Sequence, residues 1–320
     1  MRSDASRLSL LTTSAYTWAA ACYMKADFNM LNAEKVDAVR FFAYEDNGLR
    51  VGLAVGEKGS EWRSPYSAPF CGFVCPQIQT IACLNSAMRE LKDLLLSQKK
   101  SLKVTLPPIF YDRMFYSKVV SAMLQNGFKQ SYANLNYAFD FTDSTPYEKR
   151  LHYMGARNYK QFAHSECSFT QETSVEQQRC VYGFIQEHYK AKGYTLWMKF
   201  EDLLKTAEIV PIDFCLLRVD GKPVASTIIY RASEKIAQMI YWGADQSALD
   251  KRPLNVIACE MFRYYREQGF DYLDLGPAAS DGIASEGLCT FKESVGCFAD
   301  LKYAFEFDGT RAGAEGNADA

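Results

Sequence analysis

The stretch Gly269-Phe270-Asp271-Tyr272-Leu273-Asp274-Leu275-Gly276-Pro277 decides the fold. It predicts one short strand, residues 272–275, that ends abruptly. Proline cannot donate to a strand ladder, and the glycine before it permits a sharp exit. The apolar spacing of residues 254–267 predicts an amphipathic helix before this strand. Helix, strand and glycine stop describe an α/β unit, and open α/β sheets bind ligands at the carboxyl ends of their strands.

A second stretch follows, Gly287-Leu288-Cys289-Thr290-Phe291-Lys292-Glu293-Ser294-Val295-Gly296. We expect it to be a polar loop bounded by glycines that carries a single cation, Lys292. Such a lysine is either an ordinary surface charge or a compact point charge that holds a phosphate, a carboxylate or a developing oxyanion.

Length and composition limit the class of protein. A chain of 320 residues with 48% hydrophobic residues is long enough for two domains with packed cores. A net charge of −2 gives no general attraction to nucleic acid or to an anionic membrane, and we expect no DNA partner.

Targeting and metal signals are also missing from the sequence. No apolar run is long enough to span a bilayer, and no secretory signal opens the chain, so a cytoplasmic protein is expected. The ten cysteines include no C-x-x-C pair, which indicates thiols in a reducing compartment and no metal site. Residues 309–320 are Gly/Ala/polar and are predicted to be disordered.

Two segments of the chain repeat each other. Leu135-Asn136-Tyr137-Ala138-Phe139-Asp140-Phe141 matches Leu301-Lys302-Tyr303-Ala304-Phe305-Glu306-Phe307 at all but two positions. Asn47-Gly48 and Asp220-Gly221 predict hairpin turns at similar distances before these segments. The repeat predicts two copies of one domain, residues 1–145 and residues 146–308. The alternative is a chance likeness of two amphipathic strands.

The GFDYLDLG and GLCTFKESVG stretches resemble the C-terminal part of Fem-type peptidyltransferases, which belong to the GNAT acyltransferase superfamily. A weaker resemblance to the same proteins extends over nearly the whole chain. It implies an α+β fold (α/β, GNAT-like) made of two tandem GNAT-like domains. Each would be a mixed, mainly antiparallel sheet flanked by helices. It also implies that Lys292 lies in the active cleft, and that Arg157-Asn158 matches the Arg-Asn of the helix that opens the second domain.

The resemblance implies a donor site as well. In GNAT proteins the cofactor's pyrophosphate rests on a helix N-terminus, here the helix after Pro253. We therefore predict that acyl-CoA binds to four residues, namely Lys251, Arg252, Leu254 and Gly276. The usual glycine-rich pattern is absent, because no glycine lies between Gly243 and Gly269. The matching loop of the first copy, residues 68–73, is also poor in glycine, and we expect that copy to be degenerate.

The remaining site predictions concern chemistry and acceptor. Lys292 is predicted to stabilise the oxyanion, and Tyr241 or Asp245 to pass the proton of the amine. Arg157 and Trp242 are predicted to bind substrate. An alternative for Arg157 is an ordinary solvated helix face.

The resulting hypothesis is an N-acyltransferase that moves an acyl group from an acyl-CoA, such as acetyl-CoA, to a small-molecule or peptide amine. One alternative is a Fem-type peptidyltransferase that uses aminoacyl-tRNA and acts on a cell-wall precursor. The other is a non-catalytic binding module on a GNAT fold. No long coiled-coil insertion follows Gly193, which disfavours the Fem-type activity, whereas the missing glycines favour the binding module.

Overall fold

The computed structural model describes residues 7–19, 21–162 and 166–310, without the side chains of Gln161, Phe162 and Asp250. Residues 311–320 of the predicted tail lie outside this part. The strands, in chain order, are β1 (Leu8–Leu11), β2 (Ala38–Glu45), β3 (Leu49–Lys58), β4 (Glu61–Ser64), β5 (Phe73–Val74), β6 (Ser101–Thr105), β7 (Lys129–Asp140), β8 (Cys167–Gln171), β9 (Ile212–Val219), β10 (Lys222–Tyr230), β11 (Ile236–Ala244), β12 (Tyr272–Pro277), β13 (Ala279–Ser280), β14 (Ile283–Ala284) and β15 (Phe298–Asp308).

The helices follow the amphipathic segments of the sequence. They are α1 (Ala26–Leu31), α2 (Ile81–Ser97), α3 (Arg113–Gln125), α4 (Tyr147–Arg150), α5 (Tyr153–Phe162), α6 (Val175–Lys192), α7 (Phe200–Ala207), α8 (Pro253–Glu267) and α9 (Glu286–Ser294). A 3₁₀ helix, Gln246–Lys251, leads into α8. Within the described ranges, none of these helices is both long and apolar enough to cross a membrane.

The chain divides into two compact units. Unit 1 runs up to Asn134 and takes in the residues from Leu301 on, whereas unit 2 comprises Leu135–Asp300. The predicted domains, residues 1–145 and 146–308, were continuous in sequence. The observed units differ because each half places its last strand in the sheet of the other unit.

The sheet of unit 1 has the order β1-β2-β3-β4-β6-β15. Its neighbouring strands are antiparallel, except that β4 and β6 run parallel. The short strand β5 pairs with β3. Trp62, Met88 and Tyr116 are among the buried residues that join this sheet to its helices.

The sheet of unit 2 has the order β8-β9-β10-β11-β12-β7, with β11 and β12 as its parallel pair. The sequence of strand orientations is therefore the same as in unit 1. The predicted architecture is confirmed: two units, each a mixed, mainly antiparallel sheet flanked by helices.

The helix α8 shows how sequence sets this packing. Pro253 occupies its first turn, where no backbone N–H is needed. Val256, Ile257, Met261, Phe262 and Tyr265 recur at helical spacing, are all buried and join the core of unit 2.

The repeated segments occupy equivalent strands with the same register. In unit 2, Asp140 of β7 pairs with Tyr272 of β12. In unit 1, Glu306 of β15, which the repeat aligns with Asp140, pairs with Lys103 of β6. A register shared over three consecutive pairs argues against chance similarity, because a slip of one residue would turn every side chain to the other face.

Two local expectations were wrong. The sequence predicts a single basic helix over residues 147–166, whereas the structure has two helices there, α4 and α5, and residues 163–165 lie outside the described part. From Cys167 the chain forms β8, an added antiparallel partner of β9. The segment around Lys292, predicted as a loop, is the helix α9. The flanking glycines suggested a loop, but Gly287 lies inside α9 and Gly296 lies beyond its end.

Helix α5 approaches the end of α9 without a side chain between them. A Cβ added at Gly155 would lie 1.8 Å from the carbonyl oxygen of Ser294. The helix that carries Arg157 is thereby fixed against the helix that carries Lys292.

We expect Gly155→Ala to destabilise the protein by about 2–3 kcal/mol, because the added methyl meets backbone that cannot move independently. Gly183→Ala is the matched control, since Gly183 lies within α6 and an added Cβ there meets nothing within 4 Å. The control should be neutral or stabilising by about 0.5–1 kcal/mol. Urea unfolding of both variants measures the difference, and equal effects would contradict the close packing.

Candidate functional site

The strands β11 and β12 separate at their carboxyl ends. Their parallel pairing covers Ile236, Ala237 and Gln238 opposite Tyr272, Leu273 and Asp274. Beyond this point β12 follows β7, with Pro277 opposite Asn136, while β11 follows β10 as far as Ala244. Two strands that part in this way expose backbone N–H and C=O groups to whatever lies between them.

A β-bulge lies on β11 just past the point of separation. Ile228 of β10 pairs with Tyr241, but the next residue, Ile229, pairs with Met239. Ile240 is therefore the extra residue, and a bulge takes such a residue out of the regular ladder. The bulge leaves the backbone of Ile240 outside the ladder with β10, at the edge where β11 has left β12.

A buried carboxylate holds the point of separation together. Asp274 is fully buried, and its Oδ1 accepts hydrogen bonds from Asn136 Nδ2 (2.7 Å) and from the backbone N–H of Gly276 (2.8 Å). Its Oδ2 accepts from Gln238 Nε2 (2.9 Å). One side chain thus links β7, β12 and β11 where the last two diverge.

Lys292 is also buried, with 2% of its surface exposed. Its ammonium donates to the carbonyl oxygens of Leu275 (2.8 Å), Gly276 (2.8 Å) and Pro277 (3.0 Å). A lysine ammonium has three N–H groups, so these carbonyls match its donor capacity. The cation fixes the exit of β12, where Gly276 adopts φ +78° and a Cβ would meet open space.

The surroundings of Lys292 add an aromatic ring and an acid. Its ammonium lies 5.9 Å from the ring centroid of Tyr137, and the hydroxyl of Tyr137 donates to Glu293 Oε1 (2.7 Å). Burial, followed by Cys289 and Glu293, raises the pKa of Tyr137 above its usual range. The phenol therefore stays neutral and keeps its proton for Glu293.

Opposite charges act on the thiol of Cys297, a half-buried residue next to this cluster. Burial raises the pKa of Cys297, while Lys292 lowers it and Asp274 raises it. The lysine and the aspartate thus act on the same small volume.

The predicted residues Tyr241 and Trp242 point to different neighbours. The Tyr241 ring lies 5.8 Å from Tyr189 of α6, and burial raises the pKa of Tyr241. The Trp242 ring lies 5.5 Å from Phe291, the neighbour of Lys292 on α9. The structure therefore brings Trp242 close to Lys292, and Tyr241 toward α6.

The predicted donor-binding residues lie in and after the turn that precedes α8. Asp245 opens this turn, with Oδ1 accepting from Ser247 N (2.8 Å) and Oδ2 from Ser247 Oγ (2.8 Å). Lys251 lies 3.4 Å from Asp220, both exposed. Leu254 is half-buried against the core of unit 2. Both Asp245 oxygens thus serve the turn that presents the start of α8.

Arg252 has a special backbone conformation at the start of α8. It adopts φ +49° and ψ +48°, the left-handed region that favours glycine. The sequence lacks the usual glycine-rich pattern before this helix. At this position an arginine adopts the strained but allowed backbone conformation that a glycine would adopt without strain.

Arg157 is exposed on α5. Its neighbour Asn158 donates to Asn255 Oδ1 in the first turn of α8 (3.4 Å). The helix is positioned beside the predicted donor turn, but the structure shows no contact between Arg157 and the other predicted site residues.

The equivalent place in unit 1 is filled by the chain itself. The backbone N–H of Cys71 donates to Thr105 at the end of β6 (3.0 Å), and that of Gly72 donates to Ser64 Oγ at the end of β4 (3.0 Å). Phe70 and Phe73 on this segment are fully buried. The strands β4 and β6 are therefore bridged where β11 and β12 stand apart.

Sequence reasoning missed the polar contacts that set this geometry, those of Asn136, Tyr137, Gln238 and Asp274, and the bulge at Ile240. One signal was available, because Asp274 lies between two leucines in a strand predicted to be buried. A buried carboxylate needs donors, and asparagine and glutamine on neighbouring strands supply them. Among the described residues, no group of three potential metal ligands comes together.

Comparisons with known proteins agree with this fold. A model of the acetyltransferase (GNAT) domain matches residues 155–291. A search of curated protein sequences found no significant match.

Solved structures match over the whole chain at low identity. The crystal structure of FemX has 10% identity and a TM-score of 0.68, over 95% of this chain and 98% of that one. A conserved protein of unknown function from Bacteroides thetaiotaomicron VPI-5482 has 14% identity and a TM-score of 0.57, over 94% and 99%. L-PGS from Bacillus licheniformis has 14% identity and a TM-score of 0.53, over 85% of each chain. The resemblance to GNAT and Fem-type proteins is confirmed at the level of the fold.

We expect Lys292→Met to destabilise the protein by about 2–4 kcal/mol, because it leaves buried carbonyl groups at the end of β12 without their donor. Lys235→Met is the control. Lys235 is 62% exposed and lies 3.8 Å from Asp271, so its loss should change the free energy of unfolding by less than about 0.5 kcal/mol. Denaturant titration measures both, and a Lys292 variant as stable as the control would contradict the anchoring role.

A pH-dependent prediction concerns His188, a buried residue of α6 whose Nδ1 lies 3.2 Å from the Ala244 carbonyl oxygen at the end of β11. Burial holds its pKa below the usual value, Lys192 acts in the same direction, and the contact with Ala244 opposes them. The unfolded chain therefore takes up the proton first, near pH 6.5. The stabilisation is present above that pH and is lost as the pH falls toward the folded pKa.

The measurement compares the free energy of unfolding of the wild type and His188→Gln at pH 8, 6.5 and 5. The wild type should lose stability relative to the variant as the pH falls. Parallel curves would show that His188 keeps its ordinary pKa.

Proposed function

We propose that unit 2, in which residues 155–291 match the model of the acetyltransferase (GNAT) domain, is an N-acyltransferase. It transfers an acyl group from an acyl-CoA to the amine of a small molecule or peptide. The observation that carries this proposal is the separation of β11 from β12 after Gln238 and Asp274, next to a bulge at Ile240. Unit 1, where the corresponding gap is bridged, is the degenerate copy.

Acyl transfer of this kind depends on positioning more than on covalent help. The thioester and the amine must meet in attack geometry, and an N–H group must stabilise the developing oxyanion. The bulged backbone at residues 240 and 241 supplies such donors on a strand whose other groups are fixed by β10. The acyl carbonyl would lie along this edge of β11.

Lys292 contributes to this site by fixing the position of the backbone at the end of β12. It was predicted as the oxyanion donor, but its contacts with Leu275, Gly276 and Pro277 support a different role. It holds the end of β12 away from β11 and keeps the gap open for the donor. Trp242, which packs on Phe291, lines the acceptor side of the same helix.

Proton transfer falls to Tyr241 in this proposal. Burial raises the pKa of Tyr241, and its phenol is protonated at neutral pH. It gives this proton to the leaving thiolate as the C–S bond breaks, and takes up the proton that the acceptor nitrogen loses once the C–N bond has formed. Asp245 contributes through the turn that it closes with Ser247, and Arg157 contributes a cation for an anionic part of the acceptor.

The donor's pyrophosphate is placed at the first turn of α8, at the backbone N–H of Leu254. Pro253 has no N–H, and those of Asn255 and Val256 already donate to the carbonyl oxygen of Arg252 (2.9 and 3.3 Å). Lys251 and Arg252 supply positive charge, Leu254 supplies apolar contact, and Gly276 permits close approach to the backbone. Arg252 in the left-handed conformation gives this turn the shape that a glycine would give.

A second candidate is aminoacyl transfer from aminoacyl-tRNA in the manner of Fem-type proteins. The observation that favours it is the likeness to FemX over both units, with a TM-score of 0.68. At 10% identity this likeness supports a shared fold. Whatever activity the name FemX stands for is an activity of that protein.

The test is calorimetric titration with acetyl-CoA. We expect weak but measurable binding, because the missing glycine pattern costs about 1–3 kcal/mol if one or two N–H contacts are lost. The double variant Lys251→Ala/Arg252→Ala should bind several-fold more weakly, since each exposed charge near a helix N-terminus contributes about 0.3–1 kcal/mol.

The control removes two exposed lysines from unit 1, Lys103→Ala/Lys129→Ala, with the same change in net charge. No heat at millimolar acetyl-CoA, or equal weakening in both double variants, would remove CoA from this turn. The first outcome would favour an aminoacyl-tRNA donor or a binding module.

A further inference from the structure

A cavity of about 250 Å³ lies in unit 1, where the loop before α2 meets the first turns of α3. It is lined by loop residues 75–79 and by Asp112, Met114, Phe115 and Lys118. Sites for drug-sized ligands span about 300–1,000 Å³, so this cavity suits a smaller molecule. It is separate from the site proposed in unit 2.

The cavity contains opposite charges that do not pair. Lys118 donates to the carbonyl oxygen of Gln79 (3.0 Å), and the Oδ1 atom of Asp112 caps α3 by accepting from Phe115 N (2.9 Å). Within the described part of the chain, no ion pair joins Lys118 to Asp112, although both line the same space. Each charge keeps bonding capacity beyond these contacts, two N–H groups on the lysine and Oδ2 on the aspartate.

Both charges affect the pKa of a third residue that lines the cavity, Cys75. Burial raises the pKa of Cys75 to about 11, with Asp112 raising it and Lys118 lowering it. The two charges therefore act across the same cavity wall.

Large apolar side chains also line or flank the cavity and remain exposed. Ile78 is 80% exposed, Met114 is 57% exposed, and Ile81 at the start of α2 is 40% exposed. Exposed apolar groups beside a concave site are typical of ligand binding. A ligand with one apolar arm would cover them.

The cavity lies beside the start of α2, a helix that has an equivalent in unit 2. Helix α2 occupies the place in unit 1 that α8 occupies in unit 2, because each precedes the matching short strand, β6 or β12. The gap between β4 and β6 is bridged, yet a pocket persists beside the start of α2. Unit 1, in which the gap between the strands is bridged, therefore still has a cavity that can hold a small ligand.

We propose that this cavity binds a free α-amino acid with an apolar side chain. The carboxylate would meet Lys118, the ammonium would meet Asp112, and the side chain would cover Ile78 and Met114. Two unpaired opposite charges fit a zwitterion better than a phosphate, which Asp112 would repel, or a divalent cation, which Lys118 would repel. This inference does not depend on the activity proposed for unit 2.

The first test uses the unmodified protein and three probes in calorimetric titration. L-Leucine should bind, while N-acetyl-L-leucine, which lacks the ammonium, and L-leucinamide, which lacks the carboxylate, should each bind at least about tenfold more weakly. That factor corresponds to the loss of one charge-assisted hydrogen bond. Equal binding of all three probes, or no leucine binding at millimolar concentration, would overturn the proposal.

The second test assigns each charge to its residue. Asp112→Asn keeps a good N-cap for α3 and should weaken leucine about tenfold without affecting N-acetyl-L-leucine. Lys118→Gln should weaken leucine and leave L-leucinamide unaffected. Lys129→Gln, which removes an exposed lysine elsewhere in unit 1, is the control and should leave leucine binding unchanged. Leucine binding that survives both site substitutions would place the ligand elsewhere.

Discussion

The arrangement of unit 2 depends on one buried carboxylate, that of Asp274. It accepts hydrogen bonds from side chains on both neighbouring strands and from the backbone of Gly276, two residues further along its own strand. A carboxylate without donors in a protein interior would be strongly destabilising. The three strands must therefore keep the positions that supply those donors, and those positions are where β11 and β12 part.

Lys292 completes the constraint from the other side. Asp274 fixes the strands at the start of the gap, and the lysine fixes the backbone of β12 just beyond it. Each charged group is satisfied mainly by neutral dipoles of the strand exit. The gap is thus maintained by polar contacts behind it, while the bulged edge of β11 faces it with backbone groups.

Unit 1 has the same strand arrangement as unit 2 but lacks an aspartate and a glycine at the corresponding positions. The shared register places Thr105 where unit 2 has Asp274. Two residues further along the chain, unit 1 has Pro107 and unit 2 has Gly276. Threonine cannot gather three donors as a carboxylate can, and proline cannot donate a backbone hydrogen bond. The chain instead lays the segment that carries Phe70 and Phe73 across the gap.

The sequence predicted much of the fold, because the relevant signals are local. The spacing of α8 and the two Asx-Gly turns appear where they were expected. The strand predicted over residues 272–275 also forms, but it runs on through Gly276-Pro277, where a stop was predicted, because Pro277 still lies opposite Asn136 of β7. The exchange of β7 and β15 between the units could not be predicted, since both strands carry nearly the same residues and fit either partner. For the candidate site, the sequence singled out Lys292 but not its contacts, because the carbonyl groups to which it donates become its neighbours only when the chain folds.

Hydrogen–deuterium exchange of the wild-type protein, with and without saturating acetyl-CoA, tests the central claim most directly. If the gap in unit 2 holds the donor, exchange should slow at the amides of residues 240 and 241 and at that of Leu254 in the first turn of α8. Unit 1 should exchange as before. Protection confined to unit 1, or no protection in unit 2 at saturating ligand, would contradict the account.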